Sequence, residues 1–272
     1  MEPAMHILER ILQRTRADVL ERRVRVSLDE LRTRCRDLPA PRDFLAALRR
    51  APASAARRQG PIRVVAEAKK ASPSRGLIRP DFDPAALARA YAGAGASAVS
   101  VLTDAPFFQG SLDDLTAVRR AVEIPVLRKD FHLEAYQLWE ARAAGADAVL
   151  LIVAALTAIE LVDLLGLGRE LGLATLVEVH TREELDVAVA CGARLVGINN
   201  RNLQTFAVTL ETTFALLPFV PDDVVLVSES GIAEPAAVTK LAAAGADAIL
   251  VGEGLLAHAD VGRALRRLTG TA

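Results

Sequence analysis

Four near-copies of one octapeptide constrain this chain more than any other feature. Ala-Gly-Ala-Ser-Ala-Val-Ser-Val begins at Ala94, Ala-Gly-Ala-Asp-Ala-Val-Leu-Leu at Ala144, Cys-Gly-Ala-Arg-Leu-Val-Gly-Ile at Cys191 and Ala-Gly-Ala-Asp-Ala-Ile-Leu-Val at Ala244. Each reads as the end of a helix, a glycine able to take the left-handed cap conformation, and the start of an apolar strand. A unit that recurs in this way must stack or close on its own copies.

The segments between the copies fill in the unit. Strands are predicted at Ile62–Lys69, Ala98–Thr103, Pro125–Asp130, Ala148–Val153, Ala174–Val179, Leu195–Asn199, Val224–Glu229 and Ala248–Gly252. Helix-period segments alternate with them: Asp83–Ala94, Leu112–Val122, Glu134–Ala144, Thr157–Leu171, Arg182–Ala190, Leu210–Leu217, Pro235–Ala244 and Glu253–Leu268. Strict alternation calls for a parallel sheet with both faces covered, and the strands read accordingly as near-continuous apolar runs. The octapeptides mark every second strand, so the repeat is a pair of βα units, and four pairs make an α/β fold of the (β/α)8 TIM-barrel type. The length from Pro61 onward meets the roughly 200–250 residues such a barrel needs. A doubly wound open sheet is the alternative, but no Gly-x-Gly-x-x-Gly follows the first strand.

Residues 1–60 differ from the rest and are expected to form a helical extension packed on the barrel of residues 61–272, the whole being one structural domain. Met5–Arg23 carries Ile7, Leu8, Ile11, Leu12, Val19 and Leu20 at amphipathic-helix spacing. A shorter helix is predicted over Arg42–Arg50, begun near Pro41, and a loose linker over Ala51–Gly60. The arginines here could suggest an RNA-binding arm, but no aromatic residues interleave them and Glu9, Asp18, Glu21, Asp29 and Glu30 dilute them, so a solvated face is the better reading.

Composition narrows the function classes. With 272 residues and a formal net charge of -1, the chain has no field to gather nucleic acid or an anionic membrane, so any anion site must be local. Cys35 and Cys191 are the two cysteines and form no metal or redox spacing, which predicts free thiols in a reducing compartment. With no signal-peptide core at the N-terminus and no uninterrupted spanning run, a cytoplasmic protein without membrane contact is expected.

If the barrel closes, chemistry belongs at the C-terminal ends of its strands. Those ends carry Glu67 and Lys69, Lys129, Glu178, Asn199 and Arg201, Glu229 and Ser230, and Gly252. Period-2 alternation places Lys129 with Leu127 and Phe131 on one face, Glu67 and Lys69 with Val65, Glu178 with Leu176, and Glu229 with Val227. Any one of these reads equally as a strand-end group meeting solvent. Six strands doing so, with lysines and glutamates able to partner each other, favour a catalytic cluster.

The loops add an anion site. Ser228-Glu-Ser-Gly-Ile232 and Gly252-Glu-Gly254 follow the seventh and eighth strands, where barrels often bind phosphate with loop amides and a helix N-terminus. Gly231 and Gly252 admit close backbone approach, and Ser230 adds a hydroxyl. The first loop, Lys70–Gly76, combines basic residues, Ser72, Ser74 and Pro73 in a way that predicts an ordered lid.

Several of these stretches together resemble the indole-3-glycerol-phosphate synthase family. They are Ala66–Gly76, Ser100-Val-Leu-Thr-Asp104 with Phe108-Gln-Gly-Ser111, Leu127-Arg-Lys-Asp-Phe131, Leu176–Val179, Gly197–Leu203 and Ser228–Gly231, and Arg42-Asp-Phe44 in the extension also fits. The Glu-x-Lys-x-x-Ser-Pro-Ser and Lys-Asp-Phe elements in this order are highly specific. The resemblance covers essentially the whole chain and implies the monofunctional form. It implies ring closure of 1-(2-carboxyphenylamino)-1-deoxyribulose 5-phosphate with loss of carbon dioxide and water, with no cofactor and no metal.

On that resemblance Lys129 is the acid of ring closure, Glu178 the base of dehydration, and Lys69 the second acid or a holder of the substrate carboxylate and phosphate. Which lysine acts in which step stays open. Glu67, Asn199 and Glu229 orient hydroxyls and keep the lysines protonated. Phe108, Phe131 and Leu151 are aryl-pocket walls or ordinary core. Ser72, Arg201, Ser230, Gly231, Gly252 and Glu253 complete the substrate and phosphate contacts, the last through its amide with its side chain turned away. The expected partner is a phosphorylated small molecule, and the expected state a monomer or weak homo-oligomer. Two rivals remain: a Schiff-base aldolase with Lys129 or Lys69 as nucleophile, and a non-catalytic phosphometabolite-binding barrel.

Overall fold

In the computed structural model, which describes residues 7–51, 58–202 and 205–271, eight parallel strands close on themselves. They are β1 (Arg63–Ala68), β2 (Ala98–Leu102), β3 (Val126–Lys129), β4 (Ala148–Ile152), β5 (Ala174–Val179), β6 (Leu195–Asn199), β7 (Val225–Glu229) and β8 (Ala248–Val251). Each pairs with its sequence neighbour and β8 returns to β1, with Val64 opposite Ile249. This is the expected (β/α)8 barrel. The four octapeptide glycines, Gly95, Gly145, Gly192 and Gly245, all sit at positive φ, as a left-handed cap between helix and strand requires.

Two apolar layers follow from the pleat. Val64, Val99, Val149, Leu151, Val177 and Val196 point outward into the layer between sheet and helices. Val65, Leu127, Leu150, Ile152, Leu176, Val227 and Leu250 point inward and fill the barrel.

The start of the chain plugs the N-terminal end of that interior. Phe44 and Leu48, from the helix Phe44–Leu48, are buried in the inner cluster. The helix is shorter than the predicted Arg42–Arg50, because Asp43 caps it at Ala46 N–H and Arg49 is already extended. Both ends of the plug are tied by aspartates of the octapeptides. Asp147 accepts from the backbone N–H of Arg42 at 2.7 Å and of Val126 at 2.8 Å. Asp247 accepts from that of Arg50 at 3.0 Å and of Leu226 at 3.0 Å, and meets Arg58 Nε at 2.6 Å. The octapeptide is therefore both a strand start and an anchor for the extension.

Other differences from the sequence reading are local. The first helix is Ile7–Arg25, and the first two residues of the predicted segment lie outside the described residues, as do residues 52–57 of the predicted linker. A further helix, Leu28–Arg36, was not expected; Ser27 caps it by accepting from Glu30 N–H, the capping pattern that a Ser three residues before a Glu announces. Val19, Leu31 and Tyr136 form a small cluster between these helices and the helix Ala135–Ala143. The predicted last helix is two, Glu253–Leu256 and Val261–Thr269, because Asp260 starts a new one by accepting from Arg263 N–H.

Candidate active site

The inward row of each odd strand ends in a charged group, and these four strand ends meet at the C-terminal mouth. Lys129 Nζ lies 3.5 Å from Glu178 Oε2 and 3.7 Å from Glu229 Oε2. Lys69 Nζ lies 2.8 Å from Glu67 Oε1. Glu67, Glu178, Asn199 and Glu229 are all buried.

Burial opposes the charge on Lys129, but Glu178, Glu229 and Glu67 outweigh it and hold the ammonium above its ordinary range. For Glu178, burial is likewise outweighed, by Lys129, by His180 and by Asn199, so its carboxyl sits below the usual range. Glu67 is lowered in the same way by Lys69 and Lys129 against burial. Glu229 goes the other way. Burial raises it, Lys129 only partly offsets this, and Glu178 and Glu67 add repulsion, so it is pushed up to about 8. Neither Glu229 oxygen has a hydrogen-bond partner among the described residues, and the side chain is 1% exposed. A buried polar group of this kind is suited to receive a substrate hydroxyl.

Two close approaches explain glycines here. A Cβ at Gly197 would overlap Glu229 Oε1, and one at Gly252 would come within 2.5 Å of Glu67 Oε1. Both leave room for buried carboxylates, which at Gly252 is a role the sequence did not disclose.

The loops after β7 and β8 lie at the C-terminal ends of those strands. Ser230 and Gly231 have φ of 68° and 78°, a strained pair for which the serine has no glycine-like freedom. Asn200 braces this loop, its amide nitrogen donating to Ser228 Oγ, Glu229 O and Ser230 O. Gly252 precedes the short helix Glu253–Leu256. The first loop is ordered: Ala71–Ser72 pairs antiparallel with Gly76–Leu77, and Ser72 Oγ accepts from Arg75 N–H at 3.3 Å.

The Glu253 carboxylate lies 3.4 Å from Arg201 Nη2, 3.5 Å from Arg75 Nε and 4.0 Å from Lys69 Nζ. One expectation is corrected. Leu151 does not line the mouth. Register decides this: Ile152 lies opposite the inward Glu178, so Leu151, opposite Val177, belongs to the outer layer. The inward residues of that strand are Leu150 and Ile152, and Leu250 joins them from β8. Phe108 and Phe131 are neighbours, with ring centroids 6.3 Å apart.

Sequence reasoning also missed His180. Its Nε2 is 3.4 Å from Glu178 Oε1 and its Nδ1 3.2 Å from Glu184 Oε2. It stands two residues beyond Glu178, so the same alternation that placed Glu178 could have found it.

Fold and mouth together define a barrel enzyme with acid–base groups on its strand ends and glycine loops beside them. The chain belongs to the indole-3-glycerol phosphate synthase family, whose family model matches residues 8–268. An indole-3-glycerol phosphate synthase of Chloroherpeton thalassium is 49% identical over 252 residues, covering 93% of this chain and 95% of the relative. That of Sulfurimonas denitrificans is 47% identical over 263 residues, covering 96% and 98%. Among solved structures, 3-hexulose-6-phosphate synthase from Salmonella typhimurium aligns with a TM-score of 0.62 at 13% identity over 77% of this chain and 97% of that one, a likeness of fold alone. Among the described residues no helix is long and apolar enough to cross a membrane.

Proposed function

We propose that the chain closes 1-(2-carboxyphenylamino)-1-deoxyribulose 5-phosphate to indole-3-glycerol phosphate, a carbon–carbon lyase step of tryptophan biosynthesis that releases carbon dioxide and water. The observation that carries this reading is an inward lysine at the barrel mouth whose Nζ lies 3.5 Å from Glu178 Oε2 and 3.7 Å from Glu229 Oε2. Lys129 donates a proton to the ribulose carbonyl oxygen as the aryl carbon attacks, so no alkoxide forms free. Loss of the ring carboxylate as carbon dioxide restores the aromatic ring. Dehydration follows: Glu178 takes a proton from the carbon beside the departing hydroxyl, and Lys69, beside Glu67, protonates that hydroxyl.

Glu67, Asn199 and Glu229 orient the sugar hydroxyls. Phe108, Phe131, Leu150 and Leu250 surround the aryl ring, and Arg201 receives its carboxylate. Backbone N–H groups of Ser230, Gly231, Gly252 and Glu253 hold the phosphate, with Ser72 closing from the first loop; helix-start amides favour a dianion without a basic protein. A Schiff-base aldolase needs a neutral amine as nucleophile, and the carboxylates around Lys129 favour the protonated one. The enzyme is taken as cytoplasmic, a monomer or weak homo-oligomer, with the extension and barrel acting as one domain and no nucleic-acid partner. Turnover assays on Lys129 and Glu178 variants test the assignment, as detailed below.

A further inference from the structure

A single imidazole stands directly behind the Glu178 carboxylate. His180 Nε2 is buried, lies 3.4 Å from Glu178 Oε1 at ion-pair distance, and makes no hydrogen bond among the described residues. The other side of the ring is clamped. Glu184 Oε2 is 3.2 Å from His180 Nδ1 and also accepts the His180 backbone N–H at 2.6 Å. Glu184 is fixed in turn in the first turn of the helix Arg182–Ala190, where its own N–H donates to Thr181 Oγ1 at 3.2 Å. The result is a row, Glu184–His180–Glu178–Lys129, that runs from a helix start to the proposed acid.

We infer that His180 is a positioning residue for Glu178: its clamped ring stands 3.4 Å behind Oε1 while Oε2 faces Lys129, and its positive charge keeps the carboxylate ionised until it accepts its proton. The inference rests on the reading of Glu178 as the base. A neutral imidazole can donate to only one of its two carboxylates, whereas the doubly protonated ring donates to both. The titratable groups facing the ring are Glu178 on β5, Glu184 on the helix and Glu229 on β7, with Lys129 beyond Glu178. Burial opposes protonation of the ring, but the Glu184 hydrogen bond and these carboxylates outweigh it. An imidazolium then gives Glu178 a second positive neighbour, on the oxygen that Lys129 does not touch. A ring that only filled space would not influence the protonation of Glu178.

The test is the pH dependence of kcat and kcat/KM for the wild type, His180→Gln, Glu184→Gln and Glu178→Gln, each checked for folding by thermal melting. His180→Gln keeps an amide donor but cannot carry charge. Its kcat is expected to fall on the order of tenfold at neutral pH, with KM nearly unchanged. Its acid limb should move up by about one pH unit, because a carboxylate that loses a cationic neighbour protonates more readily. Glu184→Gln should move the same limb the same way by less, and it decides the matter alone if His180→Gln does not fold. An unmoved acid limb in the folded variants, with Glu178→Gln inactive, overturns the inference and leaves the base assignment intact. Turnover by Glu178→Gln at the wild-type rate removes the base assignment and the inference together.

Discussion

Lys129 on β3 and Glu178 on β5 reach over the intervening strand to meet at 3.5 Å, Nζ to Oε2, at the mouth of the barrel. Each keeps the other ionised against the cost of burial. An acid and a base poised in opposite charge states beside one substrate pocket are what a ring closure followed by a dehydration needs.

Separating the two roles requires both variants. Lys129→Ala should lose at least ~10²-fold in turnover, the usual scale for a positioned acid, and thermal melting checks that it is folded, since buried Glu178 loses its partner. Glu178→Gln should abolish product formation with substrate affinity little changed, since shape is kept and the base removed. Steady-state rates paired with binding titrations check this. Near-wild-type turnover in folded Lys129→Ala, or lost affinity with an unchanged later step in Glu178→Gln, would contradict the assignments.

The phosphate contacts make a prediction about charge. Glu253 occupies the space between Lys69, Arg75 and Arg201, so removing its charge while retaining its amide should tighten competitive inhibition by inorganic phosphate. Gly231→Val should weaken it and raise KM, because φ is +78° there and a Cβ would come within 2.5 Å of Val208 Cγ1. Gly252→Val is less informative, since its side chain would strike Glu67 as well as the anion. An inhibition series over Glu253→Gln and Gly231→Val is the measurement; unchanged phosphate affinity in both would place the anion elsewhere.

Glu229 links the site to stability. Its carboxyl is raised from 4.5 to about 8 by burial and by Glu178 and Glu67, so between these values the folded state holds a proton that the unfolded chain releases. Stability from this group is therefore full below the unfolded value and is lost as pH rises through about 8. Glu229→Gln removes that loss. Urea unfolding from pH 5 to pH 9 should show the variant gaining on the wild type as pH rises, and a gap independent of pH would refute the shift.

The plug at the N-terminal end of the barrel predicts a stability effect without a catalytic one. Asp247→Ala deprives the N–H groups of Arg50 and Leu226 of their acceptor and Arg58 of a buried carboxylate. Removing one member of a buried ion pair costs about 3 kcal/mol, measurable by denaturant unfolding. The kcat of folded variant should stay near wild type, because this end lies opposite the mouth.

How much of this was legible depended on whether a strand alternates. Val65–Lys69 and Leu176–Val179 carry polar residues on one face only, so the barrel and its charged cluster could be read directly. Ala148–Ile152 is apolar throughout; nothing in its sequence separates Leu150 from Leu151, and only pairing with β5 settles which one faces inward. His180 lies past the last paired residue of β5, where the periodicity stops being counted. The destination of the Glu253 side chain depends on Arg75 and Arg201, which come from two other loops. The break at Asp260 was visible as a capping residue, but Leu255, Leu256, Val261 and Leu265 keep a helical spacing across it.

The central claim is tested most directly by supplying the purified chain with 1-(2-carboxyphenylamino)-1-deoxyribulose 5-phosphate in the presence of a chelator, and following indole fluorescence and carbon dioxide together. The account predicts both products in equal amounts, with nothing trapped on the protein by borohydride. Carbon dioxide without the indole fluorophore, no turnover by the folded wild type, or a borohydride-stable adduct on Lys129 or Lys69 would contradict it.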